Sequence, residues 1–137
     1  GVSGKIQRDA TGRYTIVVNA QEAPVRQRFT IAHEIAHYLY HRDLIGDGVS
    51  DSPAYRAPDE KVYETTPLER RHETQANQFA ANILMPKDLI RFIEAKRPDI
   101  TLPELAELLD VSLPALRVRK GLPPYADAAE EFGPVHV

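Results

Sequence analysis

The chain has 137 residues and a formal net charge of −3, and this length fits one compact domain with a small appended helical piece. The slightly acidic balance excludes a global positive field for nucleic acid or acidic membranes. The chain contains no cysteine, which excludes thiol nucleophiles, disulfides and thiolate zinc sites. A bound metal would therefore have to be held by imidazole and carboxylate groups.

The sequence carries no pattern for membrane insertion or export. No apolar run approaches the length of a membrane span, and residues 1–5 lack the apolar core of a signal peptide. The absence of cysteine also suits a reducing compartment. We therefore expect the protein to be cytoplasmic.

The N-terminal segment is predicted to form a β-hairpin. Residues 4–9 and 13–19 have the pattern of short strands, and the second is rich in β-branched and aromatic residues. The residues between them, 10–12, include a glycine and form the predicted turn.

Apolar periodicity predicts two long helices, over residues 25–42 and 67–84. Pro86 ends the second helix and can begin a further one over residues 87–95. The predicted buried face of the first helix comprises Phe29, Ala32, Ala36 and Leu39. That of the second comprises Ala76, Phe79, Ala80, Ile83 and Leu84. The alanines favour close packing of one helix against another.

Residues 43–67 separate the two helices and are rich in glycine, proline and charge, which predicts a long loop. Loops of this length are commonly functional or disordered. We expect this one to be mobile and to lie near the site described next, where it could act as a lid.

The strongest motif is His33-Glu34-Ile35-Ala36-His37, an H-E-x-x-H pattern inside the first helix. Residues four apart lie on one helix face about 6 Å apart along the axis, so two imidazoles there can bind one ion. Imidazole suits zinc in a tetrahedral site, with manganese as the alternative metal. Glu34 would lie beside the ion as the catalytic base. The competing interpretation is an amphipathic surface helix that carries these residues by chance.

His41 continues the series of histidines at four-residue spacing. His33 and His41 would lie about 12 Å apart along the axis, so the three rings cannot all bind one ion. We expect His41 to be a packing or hydrogen-bonding residue near the helix end, where its charged form would suit the helix dipole.

The third ligand must come from elsewhere in the chain. The downstream candidates are His72, Glu73, Glu69 and Glu64. Spacing favours Glu73, which adjoins the alanine-rich face and could point inward across a helix–helix contact, whereas His72 points about 100° away. A metal would remove the cost of burying this carboxylate. The competing interpretation is that Glu73 is an exposed helix residue.

Two segments resemble the ImmA/IrrE family of metallopeptidases. They are RFTIAHEIAH at residues 28–37 and ETQANQFAANILMP at residues 73–86, and the hairpin ahead of them also fits. The resemblance covers about residues 1–95. It implies that Glu73, the first residue of the E-x-x-A-N-x-F-A motif, is the third zinc ligand. It also implies that water fills a fourth position and that the substrate is a helix-turn-helix repressor of Xre type.

An oxyanion formed in such a reaction needs a hydrogen-bond donor. The sequence offers four candidates and does not choose among them: His72, Tyr38, Tyr55 and Tyr63. The last two lie in the predicted loop, and each tyrosine could equally be an ordinary structural residue.

Residues 101–121 have the pattern of a helix-turn-helix pair, with a capping box at Thr101 and a second cap at Ser112. A DNA-binding role would bring three basic side chains to phosphates or bases, namely Arg117, Arg119 and Lys120. The acidic first helix and the scarcity of base-reading side chains favour a packing unit instead.

These patterns predict an α+β fold, with a small hairpin or sheet packed on two metal-binding helices and a C-terminal helix-turn-helix-like pair. We expect a zincin-like domain over residues 1–95, the helical pair over 96–121 and a partly disordered tail over 122–137. The leading function is a metallo-endopeptidase that cleaves a transcriptional repressor. The alternatives are a non-proteolytic metal-binding partner in a toxin–antitoxin or regulatory system, and a DNA-binding regulator.

Overall fold

The structure is a computed structural model that describes residues 3–45, 48–51 and 68–125. It is α+β, as predicted. Its elements, in chain order, are β1 Gly4–Arg8, β2 Tyr14–Val18, α1 Pro24–Tyr40, α2 Arg42–Ile45, β3 Gly48–Asp51, α3 Arg70–Leu84, α4 Lys87–Lys96, α5 Leu102–Leu109 and α6 Leu113–Arg119. The chain divides into two compact units, residues 1–84 and 85–137. The predicted domain boundary at residue 95 stays a prediction.

The first unit contains a three-stranded antiparallel sheet in the order β2-β1-β3. The predicted hairpin is present, with Gly4 opposite Val18 and Ile6 opposite Ile16. The sheet packs on α1, and α1 packs on α3.

The predicted loop over residues 43–67 is wrong where the structure describes it. Residues 42–45 form α2, and β3 pairs with the free edge of β1, with Ile6 opposite Val49. An unpaired strand edge leaves backbone donors and acceptors without partners, so strand pairing overrides the local glycine signal. Residues 46–47 and 52–67, which include Tyr55, Tyr63 and Glu64, lie outside the described residues.

The sheet and α1 approach each other closely at Gly4. A Cβ atom built on Gly4 would lie 2.4 Å from Cγ2 of Thr30, a buried residue of α1. The first unit also has a small apolar core, formed by Ile6, Ile45 and Leu68. Tyr14 and Tyr38 border this core, with their rings edge to face at 5.1 Å.

The contact between α1 and α3 is lined by small residues. Ala36, Ala76 and Ala80 are completely buried, and Ala32 nearly so, as predicted. The predicted burial of Leu39 and Ile83 is wrong, since both are at least half exposed. The buried face of α1 runs through His33 and His37, and Leu39 lies about 200° around the helix from His37.

The second unit contains α4, α5 and α6. The predicted helix pair is present as α5 and α6, and the turn between them has Asp110 in the left-handed conformation. Thr101 and Glu104 form the predicted capping box, and the Ser112 side chain caps α6. The buried core includes Met85, Ile90, Leu105, Leu109 and Leu116.

Only part of the C-terminal tail can be compared with the structure. Residues 126–137 of the predicted tail lie outside the described residues. Among the helices that the structure describes, none is long and apolar enough to cross a membrane.

Replacing Gly4 by alanine should destabilise the protein by about 1–3 kcal/mol, because the new methyl group overlaps Thr30. Urea unfolding followed by circular dichroism measures this loss. The double variant Gly4→Ala with Thr30→Ser, which removes the opposing methyl group, should recover part of it. A single variant as stable as wild type would show that β1 and α1 are not packed so closely.

Thr101→Ala should cost about 1 kcal/mol near neutral pH, because it removes the cap of α5. Hydrogen bonds from the Thr101 side chain and backbone lower the pKa of Glu104 below its ordinary 4.5. A lowered carboxyl pKa stabilises the fold above the ordinary value, and this contribution disappears as pH falls through the lowered one. The stability difference between wild type and Thr101→Ala should therefore shrink in acid. Glu104→Gln, which cannot ionise, should lack this acid step.

Candidate metal centre

Helix α1 supplies two imidazoles one turn apart. His33 and His37 lie on its buried face, with relative exposures of 6% and 0%. Their rings meet edge to face at 4.7 Å, and their Nε2 atoms lie 3.1 Å apart. The H-E-x-x-H motif is therefore helical and inward-facing, and the exposed-helix interpretation is wrong.

Helix α3 brings one carboxylate against these two nitrogens. Glu73 is 3% exposed, and its Oε2 lies 3.0 Å from His33 Nε2. Its Oε1 lies 3.1 Å from His37 Nε2. Among the candidates for a third ligand, Glu73 alone joins the two histidines in a cluster that could hold an ion, within the described residues. Glu69 is exposed, and Glu64 lies outside the described residues.

The donor set fits a divalent cation. Glu73 Oε1 is buried and, among the described residues, accepts no hydrogen bond, although it lies 3.1 Å from His37 Nε2. A buried carboxylate oxygen without a donor is costly, and a cation would compensate it. Tetrahedral zinc at 2.0–2.1 Å separates its ligand atoms by about 3.3–3.4 Å. The observed separations of 3.0 to 3.1 Å therefore need to expand by only a few tenths of an ångström.

The far side of the His33 ring is held by a second residue of α3. His33 Nδ1 lies 2.7 Å from Oδ1 of Asn77. An amide oxygen only accepts hydrogen bonds, so Nδ1 carries the proton and Nε2 keeps its lone pair for the ion. Asn77 lies four residues after Glu73 and so on the same helical face, but its spacing alone indicates no role for it.

His41 lies behind His37 and is buried. Its Nδ1 lies 2.9 Å from His37 Nδ1, and its Nε2 lies 2.8 Å from Oε1 of Gln75. The predicted hydrogen-bonding role is therefore confirmed. Burial lowers the pKa of His41 below 6.5, although the hydrogen bond with Gln75 opposes this shift. The expected charged form is therefore not favoured, and Gln75 is a contact that no spacing rule had indicated.

Glu34, the predicted base, follows the first histidine directly and has a relative exposure of 0%. A fully buried carboxylate is unusual in a structural core, where such groups are normally paired or coordinate metals. Its position in the motif is the one required for proton transfer beside the ion.

Most of this chain, including the cluster of His33, His37 and Glu73, matches a known protein family. A family model described as the IrrE N-terminal-like domain, a peptidase family, matches residues 2–120. The chain belongs to the IrrE N-terminal-like peptidase family. The resemblance found in the sequence is thereby confirmed: the chain carries a domain of a peptidase family, and its His33–His37–Glu73 cluster is a candidate metal site.

Two curated relatives of this IrrE-like domain carry the name radiation response metalloprotease IrrE. The chain is 43% identical over 104 residues to the protein of Deinococcus deserti, an alignment that covers 72% of this chain and 33% of the relative. It is 40% identical over 99 residues to that of Deinococcus radiodurans, covering 71% and 27%. The chain thus spans about a third or less of the length of these relatives.

Glu73→Ala should reduce the affinity of the purified domain for Zn²⁺ by more than about 100-fold, the upper end of what loss of an outer hydrogen-bond partner causes. His72→Ala on the same helix should bind Zn²⁺ like wild type, because His72 is not part of the cluster. Competition with a chromophoric chelator measures both affinities. Equal losses in the two variants, or none in Glu73→Ala, would contradict ligation by Glu73.

Proposed function

We propose that the chain is a zinc-dependent endopeptidase that cleaves a helix-turn-helix transcriptional repressor and so controls mobile-element, stress or toxin–antitoxin genes. The observation that carries the proposal is the buried triangle of His33, His37 and Glu73 donor atoms. Glu34, which follows His33 in the chain, is also buried. Two imidazole nitrogens and a carboxylate oxygen are the donors of catalytic zinc sites in peptidases. Metal analysis of the purified protein distinguishes zinc from manganese.

Each residue of the site has its own role in the proposed reaction. His33, His37 and Glu73 would hold the zinc ion, which supplies a Lewis acid to polarise the scissile carbonyl and to activate water. The Glu34 carboxylate takes a proton from the attacking water and delivers it to the nitrogen of the leaving amine. Asn77 keeps His33 in the tautomer that ligates.

Among the candidates for the oxyanion donor, the described residues favour His72 over Tyr38. The Tyr38 ring packs against Tyr14 and beneath the Arg42 guanidinium, which is a structural role. His72 Nδ1 accepts a hydrogen bond from the Glu69 backbone N–H, so a neutral His72 ring carries its proton on Nε2 and can donate it. Its ring lies 4.8 Å from that of His41, which contacts Nδ1 of the candidate ligand His37.

The substrate class rests on the resemblance to the ImmA/IrrE family. Stress-gene control also suits the name of the two relatives, radiation response metalloprotease. A repressor of Xre type would be met in the cytoplasm, where we expect the reaction to occur.

The second unit does not favour a DNA-binding regulator, because its basic side chains have partners within the unit. Arg117 is buried, and its Nε donates to the Pro123 carbonyl. Arg119 Nε donates to the Met85 carbonyl, and Lys120 pairs with Glu94. Side chains held in this way would have to break these contacts to reach phosphates or bases.

Glu34→Gln should abolish cleavage of a repressor encoded beside this chain, by about 10²–10⁴-fold or more, because the amide cannot accept the proton. The variant should still bind one Zn²⁺. Electrophoresis of the repressor after incubation measures cleavage, and Glu107→Gln on the exposed face of α5 is the matched control.

If Glu34→Gln cleaves as fast as wild type, Glu34 is not the base. If neither protein cleaves but both relieve repression equally in cells, the domain is the non-proteolytic partner and the peptidase proposal fails.

A further inference from the structure

A relay of hydrogen bonds runs from the surface of α3 to the far side of one candidate ligand. It starts at Gln75 Oε1, passes through the ring of His41 and ends at His37 Nδ1, over distances of 2.8 and 2.9 Å. His41 is buried, whereas Gln75 is exposed at the surface. The relay therefore joins a solvent-accessible amide to a buried imidazole through one intervening ring.

The order of donors and acceptors determines where each proton lies. The Gln75 amide oxygen only accepts, so His41 carries its proton on Nε2. His41 Nδ1 then has a lone pair and accepts a hydrogen bond from His37 Nδ1–H. His37 is left with a lone pair on Nε2, the atom that faces Glu73 and His33.

The reverse order would disable the site. If the Gln75 NH₂ group faced His41, the protons would lie on His41 Nδ1 and His37 Nε2. A protonated Nε2 cannot ligate an ion, because its lone pair is occupied. His37 can therefore bind an ion through Nε2 only when the Gln75 amide oxygen, and not its NH₂ group, faces His41.

We propose that His41 and Gln75 are positioning residues that hold His37 in the tautomer and orientation needed to bind the metal. Asn77 performs the same task for His33 through one direct hydrogen bond. Helix α3 thus supplies the candidate ligand Glu73 and two carboxamides. That of Asn77 contacts His33 directly, and that of Gln75 reaches His37 through the ring of His41. This inference rests on the metal site of the proposed function.

The decisive variants are at Gln75, because an exposed residue can be changed without disturbing the core. Gln75→Met keeps the length of the side chain but removes the acceptor, and it should weaken Zn²⁺ binding by about 10-fold. Gln75→Glu keeps an acceptor and should bind at least as tightly as wild type. Gln78→Met, the same change at an exposed position of α3, should have no effect.

A buried variant extends the series. His41→Phe keeps a ring of similar size but cannot accept a hydrogen bond, so Zn²⁺ affinity should fall by about 10–100-fold. His41→Gln restores an acceptor and should recover part of the loss. The free energy of unfolding of each metal-free variant, measured in urea, separates an effect on Zn²⁺ affinity from a loss of stability. A purely structural role would lower this free energy, and neither Gln75→Glu nor His41→Gln would then retain or recover Zn²⁺ affinity.

Long-range ¹H–¹⁵N NMR of the histidine rings gives a direct readout of the tautomers. In the Zn²⁺-loaded wild type, His37 should be protonated on Nδ1 and His41 on Nε2. The inference is overturned if His41 carries its proton on Nδ1, or if Gln75→Met and Gln78→Met bind Zn²⁺ equally tightly. A wild type that binds no Zn²⁺ would overturn the proposed function as well, whereas normal wild-type binding with indifferent variants overturns this inference alone.

Discussion

The close contact between α1 and α3 is the constraint on which the site depends. Ala36, Ala76 and Ala80 are completely buried, and side chains this small let two helix backbones approach closely enough for a short carboxylate to meet two imidazoles. A larger residue at any of these positions would push the two helices apart and move the Glu73 carboxylate away from the two imidazoles. The packing of these alanine methyl groups therefore sets the distance between the Glu73 carboxylate and the two imidazoles.

The same contact gathers an unusual number of polar side chains in the interior. His33, Glu34, His37, His41 and Glu73 are all buried, and burying such groups is unfavourable unless each one finds a partner. Asn77 and Gln75 provide partners at the outer edge of the cluster. At the centre of the cluster the donor atoms of His33, His37 and Glu73 converge, and these three could hold a cation. Binding of a cation there would couple metal binding to the folding of this unit.

The three-stranded sheet also packs on α1. Gly4 allows β1 to lie directly against Thr30, one turn before His33. The helix that carries both histidines thus packs on both a sheet and a second helix, and a catalytic constellation needs this kind of rigid support. The helix pair of the second unit has its own buried leucines and caps, and its arginines contact its own backbone.

Local sequence determined the elements and the chemical class of the site. Alternating β-branched residues predicted the hairpin, the spacing of His33 and His37 predicted a shared helix face, and Thr101 with Glu104 predicted a capped helix, because each of these signals acts over a few residues. Only the tertiary structure decided the rest. Strand β3 forms because an edge of β1 needs a partner. Leu39 is exposed because His33 and His37 occupy the buried face of α1, and Gln75 reaches His41 from 34 residues away. Such contacts depend on how distant segments of the chain pack together, so the periodicity of residues along the chain cannot predict them.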